Sequence, residues 1–161
     1  MSRDQRLILG GMAAALMVTV ALFFLPVGRG GGDALRIACL CLIAPALCVA
    51  AGIGVIANRR FFHAEAIDGD AITPAIDLAQ RYLLNTTEQA VLASLAWLAF
   101  AAALPGRAAG MLPTLAVTFV VARLLFALGY AVAPWARAFG FALTFYPSVA
   151  VIVVSLAGII A

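Results

Sequence analysis

The sequence contains no lysine and few charged residues, and this scarcity excludes most soluble folds. Charged residues make up 11% of the 161 residues and hydrophobic residues 66%, against about 25% and about 45–50% in ordinary soluble domains. A water-soluble protein of this length needs more polar side chains than this to cover its surface. The bilayer is therefore expected to be the solvent, and the composition predicts an all-α membrane protein.

The sequence is also poor in residues that bind metals or nucleic acids. His63 is the only histidine, and Cys39, Cys41 and Cys48 form no CxxC pair, so no metal site is predicted. We interpret the three cysteines as free thiols within one apolar run. The net charge of +3 comes from scattered arginines, which do not form the concentrated basic surface of a nucleic-acid-binding protein.

The distribution of apolar runs predicts five membrane-spanning helices. They are expected at residues 7–25, 37–57, 90–104, 111–133 and from 138 to the C-terminus. The third helix is expected to start well before its apolar run, because Thr73 followed by Pro74 is typical of an N-cap with proline at the first helical position. Pro105 and Pro134 are expected to end the third and fourth helices. The first helix has a basic prelude like that of a secretory signal, but its length and the lack of an A-x-A site at its end favour an uncleaved anchor.

Arginines near the predicted membrane edges are unevenly distributed between the two sides. The side that holds the N-terminus carries Arg3, Arg6, Arg59, Arg60, Arg81 and Arg137. The other side carries Arg29, Arg36 and Arg107. Because cytoplasmic loops are enriched in arginine, this distribution predicts a cytoplasmic N-terminus. Four arginines of the richer side come from three separate parts of the sequence and are expected to share a pocket there: Arg59, Arg60, Arg81 and Arg137.

Polar residues inside the predicted spans fall on helical faces. The i, i+4, i+7 spacing places Arg81, Asn85 and Glu88 on one face of the third helix. Arg123 lies near the middle of the fourth span, where an isolated arginine costs several kcal/mol and requires a partner. Glu88, just before the apolar run of the third helix, is the acid closest to a predicted span. The sequence therefore predicts an ion pair between Glu88 and Arg123, either within one chain or across a subunit boundary.

Such a pair could be purely structural, but neighbouring residues favour a ligand site. Tyr130 follows Arg123 at i+7, and the pocket predicted above adds several guanidinium groups, which repel one another unless an anion lies between them. Planar guanidinium groups suit carboxylates. Taken singly, each arginine outside the spans is better explained as a topology determinant or a contact to a lipid headgroup than as a ligand residue.

These residues resemble the MAPEG superfamily, the membrane-associated proteins of eicosanoid and glutathione metabolism, from about residue 37 to the C-terminus. The matching segments, in order, are Arg59–Arg60 at the end of one helix, Arg81–Glu88 in the next, Ala122–Tyr130 in a third and Arg137–Gly140 in the fourth. The resemblance is to prokaryotic-type members and implies a MAPEG-like four-helix transmembrane domain at residues 33–161. Residues 1–32 would then be an additional N-terminal transmembrane anchor with a glycine-rich link.

The resemblance implies a homotrimer in the bilayer that binds glutathione, as a co-substrate, between neighbouring subunits near the cytoplasmic surface. The glutathione-binding residues that it implies are Arg59, Arg60, Arg81, Asn85, Glu88, Arg123 and Tyr130. Arg137 matches the arginine that activates the thiol. The implied function is a glutathione-dependent transferase or peroxidase that acts on hydrophobic electrophiles in a bacterial inner membrane.

Two further functions remain open at this point. Phe126 stands where leukotriene-forming relatives have tyrosine, and Gln89 stands where they have an aromatic residue. These departures leave a non-catalytic lipid-binding or scaffold protein of the same fold as the alternative. A small transporter or accessory subunit, with Glu88 and Arg123 in an ion path, is a third possibility.

Overall fold

The computed structural model describes residues 1–24, 31–62 and 73–160. Most of the predicted glycine-rich link, and the acidic stretch before Thr73, lie outside these ranges. Within them the secondary structure is helical, which confirms the predicted all-α membrane fold. The helices are α1 (Arg3–Phe24), α2 (Ala34–Cys41), α3 (Ile43–Phe61), α4 (Pro74–Ala103), α5 (Pro105–Val132) and α6 (Pro134–Ile160).

The predicted second span is interrupted near its middle, where α2 ends and α3 begins at Leu42. Pro45 explains the interruption, because it has no N–H to donate to the Cys41 carbonyl and its ring crowds that carbonyl. Leu42 nevertheless keeps right-handed helical dihedral angles, φ −63° and ψ −15°, and Ala34–Phe61 as a whole is long and apolar enough to cross a membrane. Counting α2 and α3 as one passage, the described helices form a four-helix bundle with one further helix at the N-terminus.

Three other segments also have the length and apolarity of membrane spans: α1, Pro105–Tyr130 of α5, and α6. Helix α4 is the exception among the five predicted spans. Its 30 residues include an apolar second half, but Asp77, Arg81, Asn85 and Glu88 lie in the first half. Its place in the membrane therefore depends on the neighbouring helices.

Prolines set the helix boundaries, and in two cases they do so differently from the prediction. Thr73 caps α4 as predicted, accepting a hydrogen bond from the Ile76 N–H at 3.3 Å, with Pro74 as the first helical residue. Pro105 and Pro134, however, are also first residues of helices, so α5 and α6 begin earlier than the predicted residues 111 and 138. The physical reason is the same at all three prolines, because the first turn of a helix does not use the missing N–H.

Helix α6 occupies a central place, since it packs against α1, α4 and α5. It approaches α5 closely at Gly140, where a Cβ atom would lie 2.5 Å from the Phe126 nitrogen and 2.8 Å from the Ala122 oxygen, and at Gly129, where a Cβ atom would overlap the Arg137 nitrogen. Helix α1 packs on the outer side of α6. Large apolar side chains are exposed along the outer surface, for example Leu9, Leu47, Leu128 and Leu156, as expected for a surface in contact with lipid.

Candidate functional site

The centre of the bundle contains a completely buried arginine, Arg123 of α5. One Nη of its guanidinium donates to Asn85 Oδ1 of α4 at 2.8 Å, and the other donates to the Gly140 carbonyl at 3.2 Å and to the Thr144 hydroxyl of α6. The guanidinium carbon also lies 4.7 Å from the centre of the Phe126 ring. Neutral acceptors and an aromatic face therefore replace water around this cation.

The predicted ion pair between Glu88 and Arg123 is wrong. Glu88 is exposed on the outside of α4, and the Arg123 guanidinium bonds to Asn85 instead. Because Arg123 has no exposed surface, an acid from a neighbouring subunit cannot contact it in this arrangement either. The reason lies in helix geometry: Glu88 lies about 60° around the helix from Asn85, on the side that turns away from α5.

A cavity of about 290 Å³ lies beside this buried centre, between α3, α4 and α5. Its lining comprises Ala51, Gly52, Val55, Arg59, Leu78, Ala79, Tyr82, Ala127 and Tyr130. Two of the predicted site residues, Arg59 and Tyr130, thus meet in one space although they are far apart in sequence. The remaining wall is mostly aliphatic, so the cavity combines one cation and two phenolic side chains with apolar surface.

Aromatic rings in contact, one pair stacked and one pair edge to face, connect the cavity to the buried arginine. The Phe126 ring lies 6.0 Å from the Tyr82 ring and 5.4 Å from the Tyr130 ring, measured between centroids. On the outer side, the guanidinium carbon of Arg137 lies 5.0 Å from the centre of the Tyr130 ring. Tyr130 is therefore held between Phe126, which covers Arg123, and Arg137, the predicted catalytic residue. Such cation–π contacts fix the position of an exposed guanidinium without neutralising its charge.

Arg59 has a structural contact as well as a place in the cavity wall. It lies in the last turn of α3, and its guanidinium donates to the backbone carbonyl of Ala75 in the first turn of α4. This contact joins two helix ends that the sequence separates by a polar stretch. Arg59 is thus positioned by the fold at the edge of the cavity.

The other three predicted site residues do not line the cavity. Arg60, Arg81 and Glu88 are exposed on the surface of the chain. The Arg81 guanidinium forms an ion pair with the carboxylate of Asp77, one turn earlier in α4, at 2.9 Å. The eight predicted residues therefore divide into the surface group Arg60, Arg81 and Glu88, the central pair Asn85 and Arg123, the cavity residues Arg59 and Tyr130, and Arg137, which contacts the Tyr130 ring without lining the cavity.

Sequence reasoning missed Tyr82 and Thr144. Tyr82 lines the cavity, and its position three residues before Asn85 could have indicated that it shares part of that helix face. Thr144 supplies a hydroxyl to Arg123 and lies one turn after Gly140, whose carbonyl accepts from the same guanidinium. A threonine inside an otherwise apolar span is the signal that could have identified it.

The two departures from the leukotriene-forming pattern, Phe126 and Gln89, are both buried. Phe126 does not line the cavity but separates it from Arg123, with its ring face against the guanidinium. The absence of a tyrosine hydroxyl at Phe126 therefore changes the ring between Arg123 and the cavity. The cavity wall keeps the hydroxyl groups of Tyr82 and Tyr130.

The MAPEG family model matches residues 37–157, which is most of the chain. The chain belongs to the MAPEG family. It is accordingly an integral membrane protein of the kind found in eicosanoid and glutathione metabolism. The region that matches MAPEG proteins contains the cavity and the buried arginine, while α1 precedes it. Comparisons with curated proteins and with solved structures found no match.

Proposed function

We propose that this MAPEG protein is a glutathione-dependent transferase or peroxidase that acts on hydrophobic electrophiles dissolved in the bilayer. The observation that carries the proposal is the cavity between α3, α4 and α5, where Arg59 and two tyrosines face an aliphatic wall and Arg137 stacks on Tyr130. The charged and phenolic groups suit the carboxylates of glutathione. The aliphatic wall suits an apolar second substrate.

Arg137 is the residue proposed to activate the thiol. A thiol with a pKa near 8.5 is only a few per cent ionised at neutral pH. Arg137 cannot act as a base, because arginine stays protonated, so it stabilises the thiolate electrostatically. Its position in the first turn of α6 adds the partial positive charge of a helix N-terminus.

Two reactions are compatible with a stabilised thiolate at this place. In a transferase reaction the sulfur forms a C–S bond with the electrophile, and the leaving group departs with the electron pair. In a peroxidase reaction two glutathione molecules are oxidised to the disulfide while a hydroperoxide is reduced to an alcohol and water. In both, the chain holds the thiolate beside an apolar space that admits a substrate from the lipid.

We further propose that a homotrimer completes the site. Glu88 is exposed on α4 between the exposed apolar residues Leu84 and Val91, and a carboxylate in contact with lipid is costly. Packing against a neighbouring subunit removes that cost and brings Arg81 and Arg60 towards the ligand.

The arginine distribution supports a cytoplasmic N-terminus in a bacterial inner membrane.

Replacement of Arg137 by alanine tests the proposed activation. We expect Arg137→Ala to abolish the ultraviolet absorbance of the thiolate of bound glutathione while the oligomer, measured by size-exclusion chromatography in detergent, stays intact. Arg36→Ala is the matched control, because Arg36 is exposed in the first turn of α2 and belongs to no part of the site. Unchanged thiolate absorbance in Arg137→Ala contradicts the assigned role.

A second candidate function is a non-catalytic protein that binds lipid in the same cavity. The largely aliphatic lining favours it, because an acyl chain needs no further polar partner. Turnover measurements with model electrophiles and lipid hydroperoxides separate the two candidates. Glutathione binding without any turnover supports the non-catalytic protein, whereas thiol-dependent product formation supports the enzyme.

A further inference from the structure

A groove of about 540 Å³ runs along the seam between α1 and α6, outside the cavity described above. We call it the α1–α6 groove, and its lining comprises Arg6, Leu7, Gly10, Gly11, Ala14, Trp135 and Phe139. Five of these residues come from α1, which precedes the region that matches the MAPEG family. The groove is thus a feature that the added N-terminal helix creates.

Two consecutive glycines produce the shape of the groove. A Cβ atom on Gly11 would lie 2.7 Å from the backbone oxygen of Trp135, so the backbones of α1 and α6 are in contact there. A Cβ atom on Gly10 would meet nothing within 4 Å. Gly11 therefore brings the helices together, while Gly10 leaves open space beside the contact.

The groove has a charged end and an apolar end. Arg6 is exposed, and the described parts of the chain supply no hydrogen bond or carboxylate to its guanidinium. Trp135, across the groove, is a residue that favours the level of the lipid headgroups. Gly10 and Ala14 lie about 6 Å and about 12 Å further along α1, towards the hydrocarbon core.

We propose that the α1–α6 groove binds an anionic phospholipid, with the phosphate on Arg6 and one acyl chain along Gly10 and Ala14. The charge of Arg6 complements a phosphate, which a guanidinium binds through two parallel hydrogen bonds. Arg3, one turn earlier on α1, adds positive charge at the same membrane surface. A net anionic lipid is therefore favoured over a zwitterionic one.

A second cleft on the same seam shows why the charged end matters. It lies near the other end of α1 and measures about 310 Å³. Its lining comprises Leu16, Thr19, Val20, Phe23, Phe24, Tyr146, Val149 and Ala150. That lining contains no charged residue, and the guanidinium of Arg107, whose carbon lies 5.9 Å from the centre of the Phe23 ring, is not part of it. The selectivity is therefore assigned to the α1–α6 groove.

Native mass spectrometry of the delipidated full chain, titrated with dioleoyl phosphatidylglycerol or dioleoyl phosphatidylcholine, tests the proposal. We expect one phosphatidylglycerol per chain, bound about fivefold more tightly than phosphatidylcholine. Arg6→Gln is expected to remove this preference, and Gly10→Leu to weaken the binding of both lipids by filling the groove. The matched controls Arg36→Gln and Gly54→Leu are expected to bind like the wild type, because Arg36 is exposed elsewhere and a Cβ atom on Gly54 also meets open space.

Several results overturn the proposal. The proposal fails if the wild type binds the two lipids with equal affinity. It also fails if Arg6→Gln and Arg36→Gln change the preference for phosphatidylglycerol by the same amount. A Gly10→Leu variant that changes the oligomer mass but not the number of bound lipids shows that a second copy of the chain occupies the groove instead. Arg6→Gln decides the outcome even if Gly10→Leu does not assemble, since Arg6 has no partner within the described parts of the chain whose loss could unfold the protein.

Discussion

At the scale of single residues, Arg123 shows how a bundle accommodates a charge without an opposite charge. Its guanidinium is held by the amide oxygen of Asn85, by a backbone carbonyl and by a hydroxyl. The carbonyl belongs to Gly140, where the backbones of α5 and α6 approach closely. One side chain thus joins α4, α5 and α6, and the close helix contact is what brings the acceptors within reach.

A double-mutant cycle distinguishes Asn85 from Glu88 as the partner of Arg123. We expect Asn85→Ala and Arg123→Met to show a coupling free energy of about 1–3 kcal/mol in unfolding experiments, because Asn85 accepts a hydrogen bond from a buried charge. Glu88→Ala and Arg123→Met are expected to be additive within about 0.5 kcal/mol. A coupling that is larger for Glu88 than for Asn85 contradicts the contacts described here.

The residue types of this centre were predictable, but their pairing was not. Arg81, Asn85 and Glu88 span about 60° of a helix face, and sequence spacing does not say where within that arc the buried surface ends. In the structure the edge of the buried surface lies between Asn85, which is half-buried, and Glu88, which is exposed. Charge complementarity favoured Glu88 in the prediction, whereas the rotation of α4 in the bundle favours Asn85.

At the scale of helices, proline and glycine determine both the boundaries and the close contacts. The capping signal at Thr73 was readable because it is local. Pro134 was correctly predicted to end the fourth helix, but the start of α6 was predicted four residues too late, since proline is compatible both with the end of one helix and with the first turn of the next. The packing partner of α1 could not be predicted at all, because small residues permit a close approach without specifying the helix that makes it.

Substitution of Gly140 tests the contact between α5 and α6. We expect Gly140→Ala to lower the free energy of unfolding by about 1–3 kcal/mol, because the new methyl group would overlap the backbone of α5 at Ala122 and Phe126. Gly54→Ala is the control, since a Cβ atom there meets nothing within 4 Å. A thermal unfolding midpoint that is the same for both variants contradicts this packing. Displacement of α6 also moves Arg137, so thiolate formation should fall with stability in Gly140→Ala.

At the scale of the whole molecule, the site and the additional helix are separate parts of one bundle. The cavity is built from α3, α4 and α5, while α1 packs on α6. The composition predicted membrane-spanning helices, and the spacing of polar residues predicted candidate ligand-binding residues. Neither indicated the α1–α6 groove, because the groove depends on how α1 crosses α6. It is the part of the molecule for which local sequence patterns carry the least information.

Removal of residues 1–32 tests this separation. We expect the shortened chain to retain glutathione binding and thiolate formation, because every residue of the cavity lies after the deletion. It should lose the preference for phosphatidylglycerol and unfold at a lower temperature, since the face of α6 that packs on Ala15 and Thr19 becomes exposed to lipid. Loss of glutathione binding in a shortened chain that still assembles would show that α1 contributes to the site.

The weak apolarity of α4 also has a consequence for the order in which the protein is made. The translocon transfers a helix into lipid according to its apolarity, and α4 is the predicted span that falls short of the others. Its polar residue Asn85 gains a membrane-buried partner only when Arg123 of α5 and the acceptors of α6 have been synthesised. We therefore expect stable membrane integration of α4 to be completed only after α5 and α6 have been synthesised.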